Sequence, residues 1–403
     1  MRKAISYGRQ TIDQDDINSV VDVLKSDMLT QGPKVEEFEE ALKNYTGAKY
    51  AVCCSSGTAA LHLAYLAANI GKGDSIITSP VTFTATANAA MYVGALPVFA
   101  DIDPDTGNID PVGIEDKIKY NPSVKAIVPV HYAGFPCDME RISKIALKNN
   151  LIVIEDGCHA LGAMWEDSEG NWHKVGSSTH SDMTVFSFHP VKSITTGEGG
   201  AITTNSKALY ERLKSLRSHG ITRSAKAFVN GEDAPWYYEM HELGFNYRLN
   251  DIQCALGTSQ LKKLDKFVIR RSELACLYSN MLSKYPFIKT PATGEKVRSA
   301  HHLYPVQICF DELGISKKEL FESLKAIGIH LQVHYIPVHL QPYYKKAMGY
   351  REGDYPKAER FYKNAVSLPI YPLLSDEEAG AVSEALISTI AYIAAGSLKA
   401  ARA

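Results

Sequence analysis

Lys192 falls in the run Val185-Phe-Ser-Phe-His-Pro-Val-Lys-Ser-Ile-Thr-Thr-Gly-Glu-Gly-Gly-Ala-Ile, where an apolar strand-like stretch breaks into small and polar residues and then resumes. A lysine is ordinarily a solvated surface residue. Held on a loop at the mouth of a sheet it can be partly desolvated, which lowers its pKa and frees the amine to attack a carbonyl. Asp156 closes the apolar run Leu151-Ile-Val-Ile-Glu-Asp and precedes Gly-Cys-His-Ala, so its carboxylate projects from the carboxyl edge of a strand. There it serves either as a helix cap or as a partner for a protonated heteroaromatic nitrogen. Ser55-Ser-Gly57-Thr58-Ala-Ala-Leu comes after another strand and opens a helix. Its free N–H groups and hydroxyls form an anion site, although many such starts only cap. Phe83 reads as a core aromatic by periodicity and equally as a ring that stacks on a flat ligand.

These groups need a scaffold. From about residue 49, short apolar runs alternate with amphipathic stretches: Lys49 to Cys54, Ser75 to Thr78, Leu96 to Ala100, Lys125 to Val130, Leu151 to Glu155 and Met183 to Ser187, with helices over Thr58 to Asn69 and Asp138 to Asn149. The rhythm is βαβ and implies a largely parallel sheet between helices. Glycines cluster at its strand ends, where ligands of open α/β sheets collect. Asp167-Ser-Glu-Gly-Asn-Trp reads as the turn of a small hairpin. Around residue 250 a long charged helix, Asn250 to Leu282, leaves the first domain. Beyond it helices at Ser316 to Ile327 and Asp376 to Ala394, with strands at His302 to Phe310 and Ile329 to His334, make a smaller α+β domain. The resulting division is an N-terminal arm over 1–15, a large domain over 16–262 and a small domain over 263–403.

With 22% charged residues and a net charge of −2, the chain has no field suited to a nucleic-acid backbone. Its seven cysteines form no C-x-x-C pattern, and adjacent His301 and His302 point to opposite faces of a strand. No metal site is expected. No apolar run of membrane-spanning length is evident and the N-terminus lacks a signal-peptide core, so a cytoplasmic protein with no membrane partner is expected.

An imine-forming lysine, a carboxylate for a ring nitrogen, a phosphate cradle and a stacking aromatic are what pyridoxal 5'-phosphate (PLP) requires. Together with Glu-Asp-Gly-Cys-His-Ala-Leu-Gly, Phe-Ser-Phe-His-Pro-Val-Lys-Ser and Gly244-Phe-Asn-Tyr-Arg-Leu-Asn-Asp-Ile-Gln, the chain resembles the DegT/DnrJ family of nucleotide-sugar aminotransferases, from about Tyr7 to the end of the second domain. The resemblance implies the fold-type I, aspartate aminotransferase-like architecture: α/β, with a mostly parallel seven-stranded sheet in the large domain. It implies Lys192 as the catalytic Schiff-base lysine, Asp156 as the partner of the pyridine nitrogen, and Gly57, Thr58 and Ser187 as phosphate ligands. Phe83 would cover the ring face. His159 stands where many relatives have glutamine near the ring hydroxyl, which leaves its protonation open. Asn246 would reach the cofactor phosphate of a neighbouring subunit, so the active sites of a homodimer would be shared.

Relatives that perform sugar 3-dehydration carry histidine in place of the lysine, so Lys192 implies transamination, with L-glutamate as donor. Leu29-Thr-Gln-Gly-Pro, Val130-His-Tyr-Ala-Gly, Pro235-Trp-Tyr-Tyr-Glu and Gln332-Val-His-Tyr-Ile-Pro-Val-His resemble the subgroup of pseudaminic acid biosynthesis, which aminates C4 of a UDP-linked 4-keto-6-deoxy-N-acetyl hexosamine. Tyr7, Gln31, His334 and Tyr335 are the candidate substrate contacts, since hydroxyls and amides suit sugar and uracil edges. Another UDP- or dTDP-linked 3- or 4-keto sugar is the alternative. A PLP-binding regulator without turnover would want a basic DNA-binding stretch, and none precedes residue 49.

Overall fold

The computed structural model describes residues 4–231 and 234–400, the last four of these for backbone only. The first three residues of the expected arm and the last three of the expected small domain lie outside the described residues. Nine strands succeed one another in the first half of the chain: β1 (Tyr50–Cys54), β2 (Ser75–Thr78), β3 (Leu96–Phe99), β4 (Val124–Val128), β5 (Ile152–Asp156), β6 (Met164–Glu166), β7 (Trp172–Lys174), β8 (Met183–Ser187) and β9 (Gly200–Thr204). Seven of them form one sheet in the order β1-β9-β8-β5-β4-β2-β3. Within it only β9 is antiparallel to its neighbours. A mostly parallel α/β sheet is therefore present, as the alternation implied. Strands β6 and β7 make the expected hairpin, joined on its edge by Val297–Arg298.

The period-2 alternation of side chains assigns each strand residue a face. Val52 and Cys54 pack with Leu61, Ala64 and Tyr65 of the helix Gly57–Ala67, while Ala51 and Cys53 pack with Phe38 and Leu42 of the helix Pro33–Thr46. The Gly57–Ala67 helix is apolar and small all round, so it sits in the interior rather than at the surface. Its N-terminus consequently opens at the carboxyl edge of the sheet and not into bulk water.

Asn250 to Leu282 is not one helix. It is split into Asp251–Leu261 and Leu264–Leu282, with Lys262 and Lys263 between them. The Lys263 ammonium is drawn to Asp13 and Asp16 at the start of the helix Gln14–Leu24, which ties the break to the N-terminal segment. The expected strand over Ile329 to His334 is likewise replaced by single bridges, Ile5 to Ile329 and Gln332 to Ser367. The N-terminal segment takes up those backbone groups instead: Ile5 N–H donates to Gly328 O and His330 N–H to Ile5 O. Ile370 N–H donates to Tyr7 O, which anchors Tyr7 beside Ile370.

A second core runs from Leu274 to Ile390 around Tyr304–Ile308 and Ala365–Leu368, which pair antiparallel. The helix Asp376–Ala400 closes it. Against the expectation of no such run, this helix is long and apolar enough to cross a membrane by length and composition, with a mean hydropathy of 1.4 over Asp376–Gly396. Val382, Leu386 and Ile390 are buried in the second core, which accounts for part of that apolarity.

Candidate active site

The carboxyl ends of β1, β5 and β8 meet at one cavity of about 580 Å³. Its wall includes Gly57, Thr58, Phe83, Asp156, His159, Ser187 and Lys192, together with Tyr7, His334 and Tyr335. Ten of the twelve residues named from sequence thus share one space. Gln31 and Asn246 are exposed and stand outside it on this chain.

At one end the Ser56 hydroxyl caps the helix by accepting from Ala59 N–H, and Ser56 O accepts from Ala60 N–H. The Gly57 and Thr58 amides have no carbonyl one turn back, as in any first helical turn, and remain as anion donors at the positive end of the helix. A Cβ at Gly57 would lie 2.8 Å from Ser187 Cβ and 3.3 Å from Cys158 Sγ. The glycine is what lets the helix start press onto the end of β8 and adds the Ser187 hydroxyl to the cradle.

At the other end Asp156 is buried, 5% exposed. One carboxylate oxygen accepts from the Thr86 hydroxyl at 2.7 Å and the other from Cys158 N–H at 3.1 Å. Thr82 lies 2.8 Å from Thr86, so two hydroxyls in series fix the carboxylate. Lys192 lies between the two ends on the loop from β8 to β9. Its N–H donates to His189 O, the loop base is closed by Phe188 and Thr196, and Ile194 is anchored in the core. The residue is half-buried, and burial pushes its pKa below the usual lysine value, with Cys158 and the carboxylate of Asp156 opposing. Phe83 is 59% exposed and presents its ring to the cavity, which rules out the core reading.

His159 is 4% exposed. Burial, with the charge of Lys192 and the nearby His334 and His131, holds its pKa well below the usual imidazole value, so the ring is neutral. Its Nε2 lies 2.9 Å from the Tyr335 hydroxyl, while its Nδ1 is buried with no partner among the described residues. His334 is pushed down to about 3, chiefly by burial, and its Nδ1 meets Ser367 Oγ at 2.8 Å. Sequence reasoning missed Thr86, Cys158 and His302. The His302 ring packs 4.5 Å from that of His159. Only the Thr82 to Thr86 spacing offered a signal, and it reads as ordinary helix content.

An anion cradle, a buried carboxylate, a desolvated amine, an open aromatic face and an orphaned imidazole nitrogen fit one phosphorylated heteroaromatic aldehyde. The match to known proteins agrees. The family model described as DegT/DnrJ/EryC1/StrS aminotransferase covers residues 10–387. The chain belongs to this family. It is 42% identical over 393 residues to the UDP-4-amino-4,6-dideoxy-N-acetyl-beta-L-altrosamine transaminase of Campylobacter jejuni subsp. jejuni serotype O:23/36, covering 97% of this chain and 99% of the relative. Helicobacter pylori PseC, an aminotransferase involved in the biosynthesis of pseudoaminic acid, superposes with a TM-score of 0.87 at 36% identity, covering 97% of this chain and all of that one. Spr1654 from Streptococcus pneumoniae in its PLP form gives the same TM-score at 31% identity, covering 97% of this chain and 99% of that one. This aminotransferase therefore uses PLP, and the cavity at the sheet's carboxyl edge has the donor set for it.

Proposed function

We propose that this enzyme moves the amino group of L-glutamate to C4 of a UDP-linked 4-keto-6-deoxy-N-acetyl hexosamine, the amination step of pseudaminic acid biosynthesis. The observation that carries the reaction class is the desolvated Lys192 amine sharing one cavity with the buried, doubly hydrogen-bonded Asp156. The sugar is carried by the 42% identity to the Campylobacter transaminase over nearly the full chain.

When bound, PLP supplies a carbonyl for amines and a ring that accepts the electron pair of the substrate carbon. The chain supplies the rest. Gly57, Thr58 and Ser187 would hold the phosphate, and Phe83 would cover the ring. Asp156, fixed by Thr86 and Cys158 N–H, would keep a proton on the ring nitrogen. Lys192 Nζ is the attacking amine. Because its pKa is lowered, the Lys192 amine would accept the proton from the substrate carbon and return it on the other side of the transfer. Tyr7 and His334 face the substrate end. We assign the arm to 1–15, the large domain to 16–262 and the small domain to 263–403, a division supported by the separate core from Leu274 to Ile390. Two copies share their sites through Asn246, and seven free cysteines support a cytoplasmic setting.

A second reading is another UDP- or dTDP-linked 3- or 4-keto sugar, because the TM-score of 0.87 is shared by two structures of which only one is named for pseudoaminic acid. The test is turnover of a panel of keto-sugar nucleotides with glutamate, beside Lys192→Ala. Preference for the 4-keto-6-deoxy-N-acetyl compound, with loss of the visible cofactor band and of half-transamination in the variant, is expected. Equal turnover across the panel would sink the sugar assignment, and an active Lys192→Ala would sink the mechanism.

A further inference from the structure

Tyr335 stands on the small-domain side of the cavity and reaches His159, 176 residues earlier in the chain, through its hydroxyl. Among the described residues His159 Nε2, at 2.9 Å, is the one hydrogen-bond partner of the phenol. The phenol keeps its proton, because burial pushes its pKa well above the usual tyrosine value. A protonated hydroxyl in such a wall must place that proton on an acceptor, and Nε2 is the acceptor in reach. The His159 imidazole is neutral and so carries one proton of its own. With Nε2 accepting, that proton sits on Nδ1.

Nδ1 is buried and has no partner among the described residues. An N–H left in this state is destabilising, unless a ligand in the cavity accepts it. The ring has little freedom to turn away. His302 packs on it at 4.5 Å and the Tyr335 ring lies 5.9 Å away at 26° to its plane. The charged or titratable groups that face it are Lys192, His334, His131 and His302, none of which hydrogen-bonds Nδ1.

We propose that Tyr335 is a positioning residue: by donating to His159 Nε2 it fixes the Nδ1–H tautomer, and so presents a hydrogen-bond donor to an acceptor oxygen on the ring of the bound cofactor. This rests on the PLP reading of the cavity and reassigns Tyr335 from substrate contact to organiser of the cofactor's surroundings. Its consequence is electronic. A donor on the ring oxygen favours that oxygen's ionised form, so loss of the tautomer moves the pH at which the bound cofactor's visible band titrates.

The test uses full-length protein with 15N-labelled histidine, recorded with cofactor and after its removal, with His159→Gln marking which imidazole signals belong to His159. In both states His159 should show a protonated Nδ1 and an unprotonated Nε2. Tyr335→Phe, which keeps the ring, should shift the population towards Nε2–H and move the cofactor titration by about half a pH unit or more, with cofactor content unchanged. A wild-type ring protonated at Nε2, or a Tyr335→Phe protein with both the tautomer and the titration unmoved, would overturn the proposal. A wild type without a cofactor band would instead overturn the PLP reading, leaving the tautomer spectra to decide this one.

Discussion

The Thr86 hydroxyl donates to the Asp156 carboxylate across 2.7 Å, and Thr82 stands 2.8 Å behind it. All three side chains are buried. A hydroxyl chain of this kind polarises in series, each bond strengthening the next, in surroundings that screen little. It holds the carboxylate in one rotamer, aimed as the partner of a protonated ring nitrogen must be.

Thr86→Val keeps the shape and removes the donor. A hydrogen bond to a charged group contributes about 1.5–3 kcal/mol, so transamination should slow by roughly tenfold or more, while Thr82→Val, which leaves the Asp156 contact in place, should do less. Single-turnover half-transamination by glutamate reads the difference directly. Equal rates in wild type and Thr86→Val would show that Cys158 N–H alone suffices to hold the carboxylate.

How much of this was legible depends on the distance over which each contact acts. Lys192, Asp156 and the Gly57-Thr58 helix start stood out because each is a local break at the end of an apolar strand. The parallel sheet was readable from alternation for the same reason. Thr86 was hidden because its partner lies 70 residues away and its spacing from Thr82 is that of any helix. Nor did apolarity at Ile329 to His334 guarantee a ladder: those backbone groups pair partly with Ile5 of the N-terminal segment, which sequence-local periodicity does not reveal. At the break over Lys262–Lys263, Lys263 likewise pairs with Asp13 and Asp16, far upstream.

The buried imidazoles make stability sensitive to mild acid. Burial pushes His334 down to about 3 and His301 down to about 4 in the fold, against about 6.5 in the unfolded chain. Between these values the unfolded state binds more protons, so stability is full above about pH 6.5 and declines as the pH falls. Each such histidine contributes a slope approaching 1.4 kcal/mol per pH unit. From pH 6.5 to 5 the depressed carboxylates Glu140 and Glu239, both at about 2, remain ionised, so the histidines dominate this window. Urea unfolding midpoints across it should fall with acid, and His334→Gln should flatten the slope by up to one proton. An unchanged slope in that variant would mean that His334 does not titrate with unfolding.

Asn246 is exposed and outside the cavity of its own chain, although the resemblance to relatives implies a role at a cofactor phosphate. If it acts across a dimer, two inactive proteins should rescue each other. In a hybrid of Lys192→Ala with Asn246→Ala, the site built on the Asn246→Ala subunit keeps its own Lys192 and receives an intact Asn246 from the other copy; the second site has lost both. Random exchange at equal amounts should therefore restore up to roughly a quarter of wild-type activity. Were Asn246 to act within its own chain, every site in the hybrid would lack one residue and mixing would restore nothing. Measuring activity after subunit exchange, with size-exclusion chromatography of each variant to establish that it forms the same assembly, separates the two arrangements without a structure of the dimer.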